Sequence, residues 1–327
     1  MMKLATRDNG ERDGELMVVS RDLQRMVSAA GIAATLQEAI ERWTLVESAL
    51  QERYLALNHD DIAGAQPFNA RQLLAPLPRA WQWLDGSAFL SHGERMQQAF
   101  NLPPIEGVEQ TPLMYQGSGD DFLAAHADIP CGNVEWGLDF EGEYAVLVDE
   151  VPAGCDARQA LSHVRLLLQV NDISLRALAP REMKTGFGFI HAKPSSAFAP
   201  VAVTPDEAGD AWRDGRLALP LSVRRNGEPF GHQSGGEMHF HFGELIAHAA
   251  LSRRLRAGTL IGSGTISGHD ASKGASCIAE VRALETIASG APQTAFLQPG
   301  DEIFMESRTA EGGELFGAIQ QRVVMSS

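Results

Sequence analysis

The sequence predicts an α+β fold in which a mixed β-sheet carries a small number of helices. Short segments rich in β-forming apolar residues recur along the chain and are separated by Gly or Pro turns. Amphipathic helical segments interrupt them at only a few points. Strands and helices therefore do not alternate as regularly as in a doubly wound parallel sheet. With 327 residues, the chain is long enough for one large domain and a smaller one.

The first 75 residues are predicted to form a small N-terminal α+β domain. Glu15–Ser20 has the composition of a short strand, and the apolar spacing of Thr35–Leu57 indicates an amphipathic helix. Two prolines in Leu74–Pro78 disfavour helix on either side of them. We therefore place a boundary there, so that residues 76–327 form the second, larger domain.

Most of the second domain is predicted to be strand. Short strand-like segments run at 143–148, 200–204, 217–223, 259–261, 277–281 and 301–306. Two helices are predicted between them, at Asp156–Gln169 and Gly243–Arg254, because each segment places its apolar residues on one stripe at helical spacing. The expected architecture is a mixed sheet or roll.

Composition and charge exclude several classes of partner. The formal net charge is −15, and nonspecific binding to phosphate backbones or anionic bilayers depends on Lys and Arg. No segment approaches the ~18 continuous apolar residues of a membrane helix, and the charged start lacks the apolar stretch of a secretory signal. We expect a cytoplasmic protein that binds neither nucleic acid nor membrane. The three cysteines show no C-x-x-C pair and are expected to be buried apolar residues.

Acidic residues supply the first candidates for chemistry. Strand periodicity places Glu141 and Glu143 on the same face. Two adjacent carboxylates repel each other unless a hard divalent cation lies between them. Asp172, after the second-domain helix, could complete a three-carboxylate site. The alternative is a solvated edge strand for the two glutamates, and a helix-terminating turn for Asp172.

One lysine and two polar segments deserve separate interpretation. Lys193 lies among apolar and small residues, so it is a candidate for holding a substrate carboxylate or oxyanion, or else a surface lysine. Gly262–Gly268 lacks the lysine and the βαβ setting of a phosphate loop. His239 and His241 alternate but have no third zinc ligand at suitable spacing, which favours a polar strand face.

In order along the chain, these segments resemble the fumarylacetoacetate hydrolase family over roughly residues 75–325. The motifs that carry the resemblance are DFEGEYA at 139–145, VNDISLR at 170–176, KPSSAFAP at 193–200, LRAGTLIGSGTISG at 255–268, CIAE at 277–280 and FLQPGDE at 296–302. The resemblance implies the mixed β-sheet roll or sandwich of the family's C-terminal domain, preceded by a small N-terminal α+β domain.

The resemblance also implies roles for individual residues. It implies that the family's metal ligands correspond to Glu141, Glu143 and Asp172. Its substrate-contacting cations correspond to Arg176 and Lys193, and its glycine-flanked substrate contact corresponds to Thr265. Mg²⁺ is the expected ion, with Ca²⁺ or Mn²⁺ as alternatives.

The general base is placed by the same resemblance. Asp85 precedes His92 by seven residues, the interval between a metal-binding aspartate and the catalytic histidine in the eponymous hydrolases. Tyr115–Gly117 resembles the family segment that contributes a substrate tyrosine. The resemblance thus implies His92 as base, Glu280 as its partner, Asp85 as a fourth ligand and Tyr115 as a substrate contact. The residues flanking Asp85 and His92 depart from the family pattern, so His126 is kept as the competing base.

The implied activity is hydrolysis of a carbon–carbon bond in a fumarylacetoacetate- or acylpyruvate-like substrate, such as occurs in aromatic-compound catabolism. The ion would act as a Lewis acid towards adjacent substrate oxygens, and the base would activate water. Two alternatives stay open: a 2-oxo acid decarboxylase, hydratase or tautomerase with the same site, and a catalytically silent metal-binding protein. The family's habit implies a homodimer.

Overall fold

A computed structural model describes residues 1–326. Within this range the chain forms twenty β-strands and seven α-helices. The strands are β1 Lys3–Arg7, β2 Glu15–Val19, β3 Arg25–Ser28, β4 Gln66–Pro67, β5 Gln82–Gly86, β6 Met114–Gly117, β7 Ile129–Cys131, β8 Leu138–Asp139, β9 Gly142–Val148, β10 Val164–Asn171, β11 Ser174–Leu175, β12 Ala197–Phe198, β13 Ala202–Val203, β14 Trp212–Arg213, β15 Arg216–Leu217, β16 Pro220–Arg225, β17 Glu228–Ser234, β18 Thr259–Gly262, β19 Glu302–Ser307 and β20 Ile319–Met325. The helices are α1 Leu36–Glu41, α2 Trp43–Asn58, α3 Leu90–Phe100, α4 Ala157–Leu161, α5 Ala179–Thr185, α6 Phe242–Ala249 and α7 Ile278–Ser289.

Two large sheets organise the chain. The larger has the order β4-β3-β2-β1-β13-β10-β9-β18-β5-β6, with β12 paired to β10. The smaller has the order β17-β16-β19-β20-β7. Both are mixed, because β18 runs parallel to β5 and β20 runs parallel to β7 while their other pairings are antiparallel. The predicted α+β fold with a mixed sheet is confirmed.

The larger sheet is buried on both faces. Along β9, Tyr144, Val146 and Val148 belong to one hydrophobic cluster, whereas Ala145 and Leu147 belong to the other, as the two-residue period of a strand requires. The first cluster also contains the inward residues of the smaller sheet and of α6. The second contains the apolar stripe of α1 and α2. The sheet is therefore the middle layer between helices and a second sheet.

The N-terminal strands extend the same sheet that carries the later strands. β1 pairs with β13 through Lys3 opposite Val203 and Leu4 opposite Ala202. Through these long-range pairs the short N-terminal strands share a sheet with the rest of the chain, which supplies the neighbouring strands that a short segment needs. The domain boundary near residue 75 stays a prediction.

Several elements differ from the sequence prediction. The amphipathic segment Thr35–Leu57 is helical, but Arg42 divides it into α1 and α2. The helix predicted at Asp156–Gln169 is wrong, because only α4 is helical and β10 follows it. The strand predicted at 277–281 is also wrong, since α7 begins at Ile278.

Two further predictions concern the cysteines and the membrane. All three cysteines are free and buried, as expected. Among residues 1–326, no helix is both long enough and apolar enough to cross a bilayer.

Candidate active site

Three carboxylates meet where neighbouring strands of the larger sheet end. Asp85 is in β5, Glu143 is in β9, and Asp172 follows β10. One carboxylate oxygen from each lies within 4.8 Å of the others. β18 separates β5 from β9, and a Cβ at Gly262 would lie 2.2 Å from Oδ1 of Asp85. The glycine therefore leaves the space that the Asp85 carboxylate occupies.

The electrostatics of this cluster fit a divalent cation. Among residues 1–326, no hydrogen-bond donor reaches either oxygen of Glu143, although its side chain is fully buried. Burial and the charges of Asp85, Asp172 and Glu141 raise the pKa of Glu143 well above its ordinary value. Burial and the charge of Asp172 likewise raise the pKa of Asp85 to about 8. Buried carboxylates that lack partners are costly, and oxygen-rich clusters are what hard divalent cations bind. The donor set therefore fits such an ion.

Glu141 lies beside this cluster and is engaged by protein donors. Its Oε1 accepts hydrogen bonds from Ser174 at 2.6 Å and from Lys193 at 2.7 Å, and its Oε2 accepts one from Thr265. Burial opposes ionisation, but Arg176, Lys193 and His92 lower the pKa of Glu141 below its usual range. Glu141 is therefore an ionised carboxylate at the edge of the cluster, and its role as a ligand stays a prediction.

Lys193 joins Glu141 to the carboxylate cluster. Its Nζ donates to Glu141 and to Oδ2 of Asp172, and it lies 5.1 Å from the centre of the Tyr115 ring. Burial opposes protonation, yet Asp172 and Glu141 raise the pKa of Lys193 above its usual range. Lys193 is thus a permanent cation, which suits it to hold an anionic substrate group and not to act as a base.

Tyr115 is placed by β6 and contacts the same aspartate. Its hydroxyl donates to Oδ2 of Asp172 at 2.6 Å, and its ring packs edge-on against Phe189 at 5.1 Å between centroids. Burial and the nearby carboxylates raise the pKa of Tyr115 well above its ordinary value, so it is a neutral hydrogen-bond donor.

Arg176 connects the cluster to the start of α7. Its Nε donates to Oδ2 of Asp139 at 2.8 Å, and its Nη2 lies 3.1 Å from Oε1 of Glu141. Asp139 also accepts the backbone N–H groups of Ile278 and Ala279, so it caps α7 from 139 residues away. The predicted substrate cation is therefore already paired with two carboxylates.

His92 and Glu280 meet between α3 and α7. Nδ1 of His92 lies 2.6 Å from Oε2 of Glu280, whose side chain is fully buried. Burial alone would raise the pKa of Glu280, but the hydrogen bond and charge of His92 and the charge of Arg95 hold it below its usual range. Glu141 forms a β-bridge with Cys277, the residue just before α7. The charge of His92 also contributes to the lowered pKa of Glu141. Both observations place the His92–Glu280 pair beside the carboxylates.

The competing base lies in different surroundings. Burial and the charge of Arg71 lower the pKa of His126. Its Nδ1 is buried without a hydrogen-bond partner among residues 1–326. The structure therefore pairs His92, and not His126, with a carboxylate.

Sequence reasoning missed several polar residues that complete the site. They support the predicted residues by hydrogen bonds and are Arg95, Asp139, Ser174, Ser196 and Ser267. Arg95 follows His92 by three residues, so a helical interpretation of 90–100 would have placed both on one face. The serines carry no comparable signal in the sequence.

Comparison with known proteins agrees with this architecture. Residues 82–324 match the family model described as fumarylacetoacetate (FAA) hydrolase C-terminal, and residues 2–79 match fumarylacetoacetase N-terminal domain 2. A curated relative, oxaloacetate tautomerase YisK of Bacillus subtilis (strain 168), is 26% identical over 262 residues, covering 78% of this chain and 83% of that protein.

Solved structures share the fold. Fumarylacetoacetate hydrolase from psychrophilic Exiguobacterium antarcticum matches with a TM-score of 0.67 and 19% identity, covering 100% of both chains. Maleylpyruvate hydrolase from Sphingobium sp. SYK-6, solved with manganese(II) and pyruvate, matches with a TM-score of 0.66 and 15% identity, again covering 100% of both. Because the C-terminal family model alone spans residues 82–324, well over half of the sequence, this chain belongs to the fumarylacetoacetate hydrolase family.

Proposed function

We propose that this chain is a divalent-metal-dependent hydrolase that cleaves a carbon–carbon bond in an acylpyruvate- or fumarylacetoacetate-like 1,3-dicarbonyl substrate. The observation that carries the proposal is the His92–Glu280 pair beside a cluster of buried carboxylates. A positioned base and an electrophilic centre are the two requirements for hydrolysing such a bond. Family members with this fold include a maleylpyruvate hydrolase.

The ion would be held by Asp85, Glu143 and Asp172, with Glu141 as a fourth ligand. We propose Mg²⁺, with Mn²⁺ or Ca²⁺ as substitutes, because all the donors are carboxylate oxygens. When bound, the ion supplies Lewis-acid polarisation of adjacent substrate oxygens and offsets negative charge that develops during cleavage. The manganese(II) ion in the maleylpyruvate hydrolase structure supports a divalent ion at this site.

Lys193 would orient the substrate. An ammonium group has three N–H donors, and two of them reach Glu141 and Asp172. The third is available for a carboxylate or carbonyl oxygen of the substrate. Thr265 and Tyr115 are held beside it through Glu141 and Asp172, and we propose them as further substrate contacts. Arg176 would act chiefly by fixing Glu141 and Asp139.

His92 would activate water. Because its Nδ1 faces Glu280, the hydrogen bond assigns the N–H to Nδ1 and leaves Nε2 to accept a proton. The resulting hydroxide attacks the carbonyl carbon remote from the pyruvate carboxylate. The carbon–carbon bond then breaks, its electron pair passes to the pyruvate fragment, and that fragment takes up a proton. The products are a carboxylic acid and a 2-oxo acid; from fumarylacetoacetate, whose nucleofuge is the acetoacetate fragment, they are a carboxylic acid and a 3-oxo acid.

A 2-oxo acid tautomerase is the second candidate. The curated relative YisK is an oxaloacetate tautomerase, and its similarity covers 78% of this chain. The same histidine would then move a proton between carbon and oxygen of the substrate, without water attack. Both candidates need His92 and the ion, so only product analysis separates them.

A substrate panel tests the proposal. Acylpyruvates, fumarylpyruvate, fumarylacetoacetate and oxaloacetate would be supplied with and without Mg²⁺ or Mn²⁺, with a Glu143→Gln variant as the matched control. Loss of diketone absorbance with equimolar release of a carboxylic acid and an oxo acid (a 2-oxo acid from the pyruvates, acetoacetate from fumarylacetoacetate) supports hydrolysis. Enol–keto interconversion without new products overturns hydrolysis in favour of the tautomerase, and activity equal to that of the variant overturns both. The expected homodimer stays a prediction that light scattering tests.

A further inference from the structure

A buried arginine lies behind the His92–Glu280 pair and has no part in the reaction as written above. We infer that Arg95 is a positioning residue that fixes the Glu280 carboxylate, and through it the orientation and protonation of the His92 ring. The inference rests on the proposed function, because it assigns Arg95 to the same base.

The hydrogen bonds of Glu280 divide its two oxygens between two tasks. Oε1 accepts from Nη1 of Arg95 and, at 3.0 Å, from the hydroxyl of Ser267. Oε2 is left for Nδ1 of His92, at 2.6 Å. With one oxygen held by two donors, the carboxylate cannot rotate without losing both. The direction of Oε2 towards the imidazole is therefore fixed.

Arg95 is itself held rigidly. Its Nη2 donates to the carbonyl oxygen of Gly268 at 2.5 Å, and its Nη1 also lies 3.2 Å from the hydroxyl of Ser267. Ser91, one turn earlier on α3, donates to the same hydroxyl at 2.8 Å. The planar guanidinium is thus held between α3 and the 262–268 segment. Its forked N–H groups can bond to Glu280 and to the Gly268 carbonyl at once, which the single ammonium group of a lysine does less well.

The charge of Arg95 also matters for the base. The Glu280 side chain is fully buried, and an unpaired buried carboxylate is strongly unfavourable. Without Arg95, the only cation among residues 1–326 in contact with this carboxylate would be a protonated His92 ring, so the negative charge would favour the imidazolium. With Arg95 present, Glu280 is neutralised and the ring can stay neutral as a base requires.

The charged groups near the ring come from several elements. Arg95 is on α3 with His92, Glu280 is on α7, and Glu141 lies before β9. The Cys277 thiol, just before α7, also lies near the ring. Burial and the charge of Asp139 raise the pKa of Cys277 well above the ordinary value, so the thiol is neutral. Arg95 is therefore the cation that balances Glu280.

The chain offers a matched control for an arginine–carboxylate–histidine group. Asp149 Oδ1 lies 2.7 Å from Nδ1 of His163, and Asp149 Oδ2 accepts from Nε of Arg165 at 2.6 Å. Asp149 directly follows β9, six residues beyond Glu143, which is roughly 20 Å along an extended strand. Arg165→Gln therefore breaks the same kind of group away from the site.

The test compares Arg95→Gln, which removes the charge, with Arg95→Lys, which keeps the charge but loses the fork. In Arg95→Gln we expect kcat at neutral pH to fall by about 10- to 100-fold, with KM and Mg²⁺ affinity within about two-fold of wild type. The rise of kcat on the acid side of its pH profile should move to higher pH, because the imidazolium is then favoured. Arg95→Lys should return this rise to its wild-type pH but recover only part of kcat. Arg165→Gln should match the wild type in both.

A second measurement does not depend on turnover. Nitrogen NMR of the imidazole side chains, with His92 assigned by its loss in His92→Asn, reports which ring nitrogen carries the proton. We expect an Nδ1–H signal in the wild type and, in Arg95→Gln at neutral pH, a second N–H signal from the same ring, while the His163 signal is unchanged. If the substrate panel fails, this measurement still decides the role of Arg95. The inference is overturned if Arg95→Gln leaves the His92 signals as in the wild type, or if Mg²⁺ affinity falls in parallel with kcat.

Discussion

Nδ1 of His92 lies 2.6 Å from Oε2 of Glu280, although 188 positions separate the two residues in the sequence. The contact joins the first turn of α3 to the first turn of α7. A carboxylate at Nδ1 selects the imidazole tautomer whose Nε2 is free. The pair therefore has the arrangement that a general base needs.

His92→Ala should lower kcat by about 10² to 10⁴, the usual contribution of a positioned base. Mg²⁺ affinity should change little, because His92 does not belong to the carboxylate cluster. Glu280→Gln should cost less than His92→Ala, since it disturbs the orientation of the ring without deleting it. Steady-state kinetics on the best substrate of the panel provide the check. A wild-type rate in His92→Ala together with loss of activity in His126→Ala would assign the base to the competing histidine.

Removal of Glu143 should abolish binding of the ion while the fold survives. Both of its oxygens lack a donor within residues 1–326, so in Glu143→Ala no protein hydrogen bond is lost and carboxylate repulsion is relieved. Titration calorimetry with Mg²⁺ or Mn²⁺ measures the affinity, and circular dichroism checks the fold. Glu141→Ala is also expected to lose the ion, but it frees Lys193 and Thr265 as well. Wild-type affinity in both variants would contradict the site.

Metal affinity should increase with pH. Burial and the charge of Asp172 raise the pKa of Asp85 to about 8, so this carboxyl carries a proton at neutral pH that the ion must displace. The Asp85 proton alone should make affinity rise about tenfold per pH unit up to pH ~8, and the raised pKa of Glu143 adds to this rise. Calorimetry in buffers of different ionisation enthalpy counts the protons released. Asp85→Asn should bind more weakly and release fewer protons, whereas pH-independent affinity in the wild type would contradict the assignment.

The outline of the fold and much of the site could be predicted from the sequence. DFEGEYA and VNDISLR are short motifs whose carboxylates the sheet brings together, because β9 and β10 are adjacent strands. The segment Val164–Asn171 is a strand, whereas the sequence pattern predicts helix over most of it. All its residues except Arg165 are buried, and they alternate between the two faces of the sheet. A strand buried on both faces has apolar residues at helical spacing too, so periodicity alone could not separate the two structures.

Long-range contacts explain the rest of what the sequence did not predict. α7 begins at Ile278 because the Asp139 carboxylate accepts its first N–H groups, and a cap from 139 residues away leaves no local signal. From sequence alone, an arginine in a polar segment such as that around Arg95 is expected on a solvated helix face. Arg95 is buried instead, because α7 brings Glu280 to it. Likewise, no local sequence pattern predicts that Arg176 pairs with Asp139 and Glu141.

The ion-free protein should lose stability as pH rises. The pKa of Asp85 is raised from 3.8 to about 8 in the folded state, and that of Glu143 is raised well above its ordinary value of 4.5. Between these unfolded and folded values, the folded state binds more protons than the unfolded state. The free energy of unfolding therefore falls with pH, by about 1.4 kcal/mol per pH unit for each such group. For Asp85 the fall begins near pH 4 and ends near pH 8.

Urea unfolding followed by tryptophan fluorescence, with EDTA present, measures this slope between pH 5 and 8. Glu143→Gln should show a shallower slope, because one titrating carboxyl has been removed from the cluster. Saturating Mg²⁺ should stabilise the wild type most at pH 8, where the carboxylates are ionised and the ion replaces protons as their counter-charge. It should leave Glu143→Gln nearly unchanged. A wild-type stability that is flat or rising over this range without metal would show that the pKa values of Asp85 and Glu143 are not raised in the folded protein.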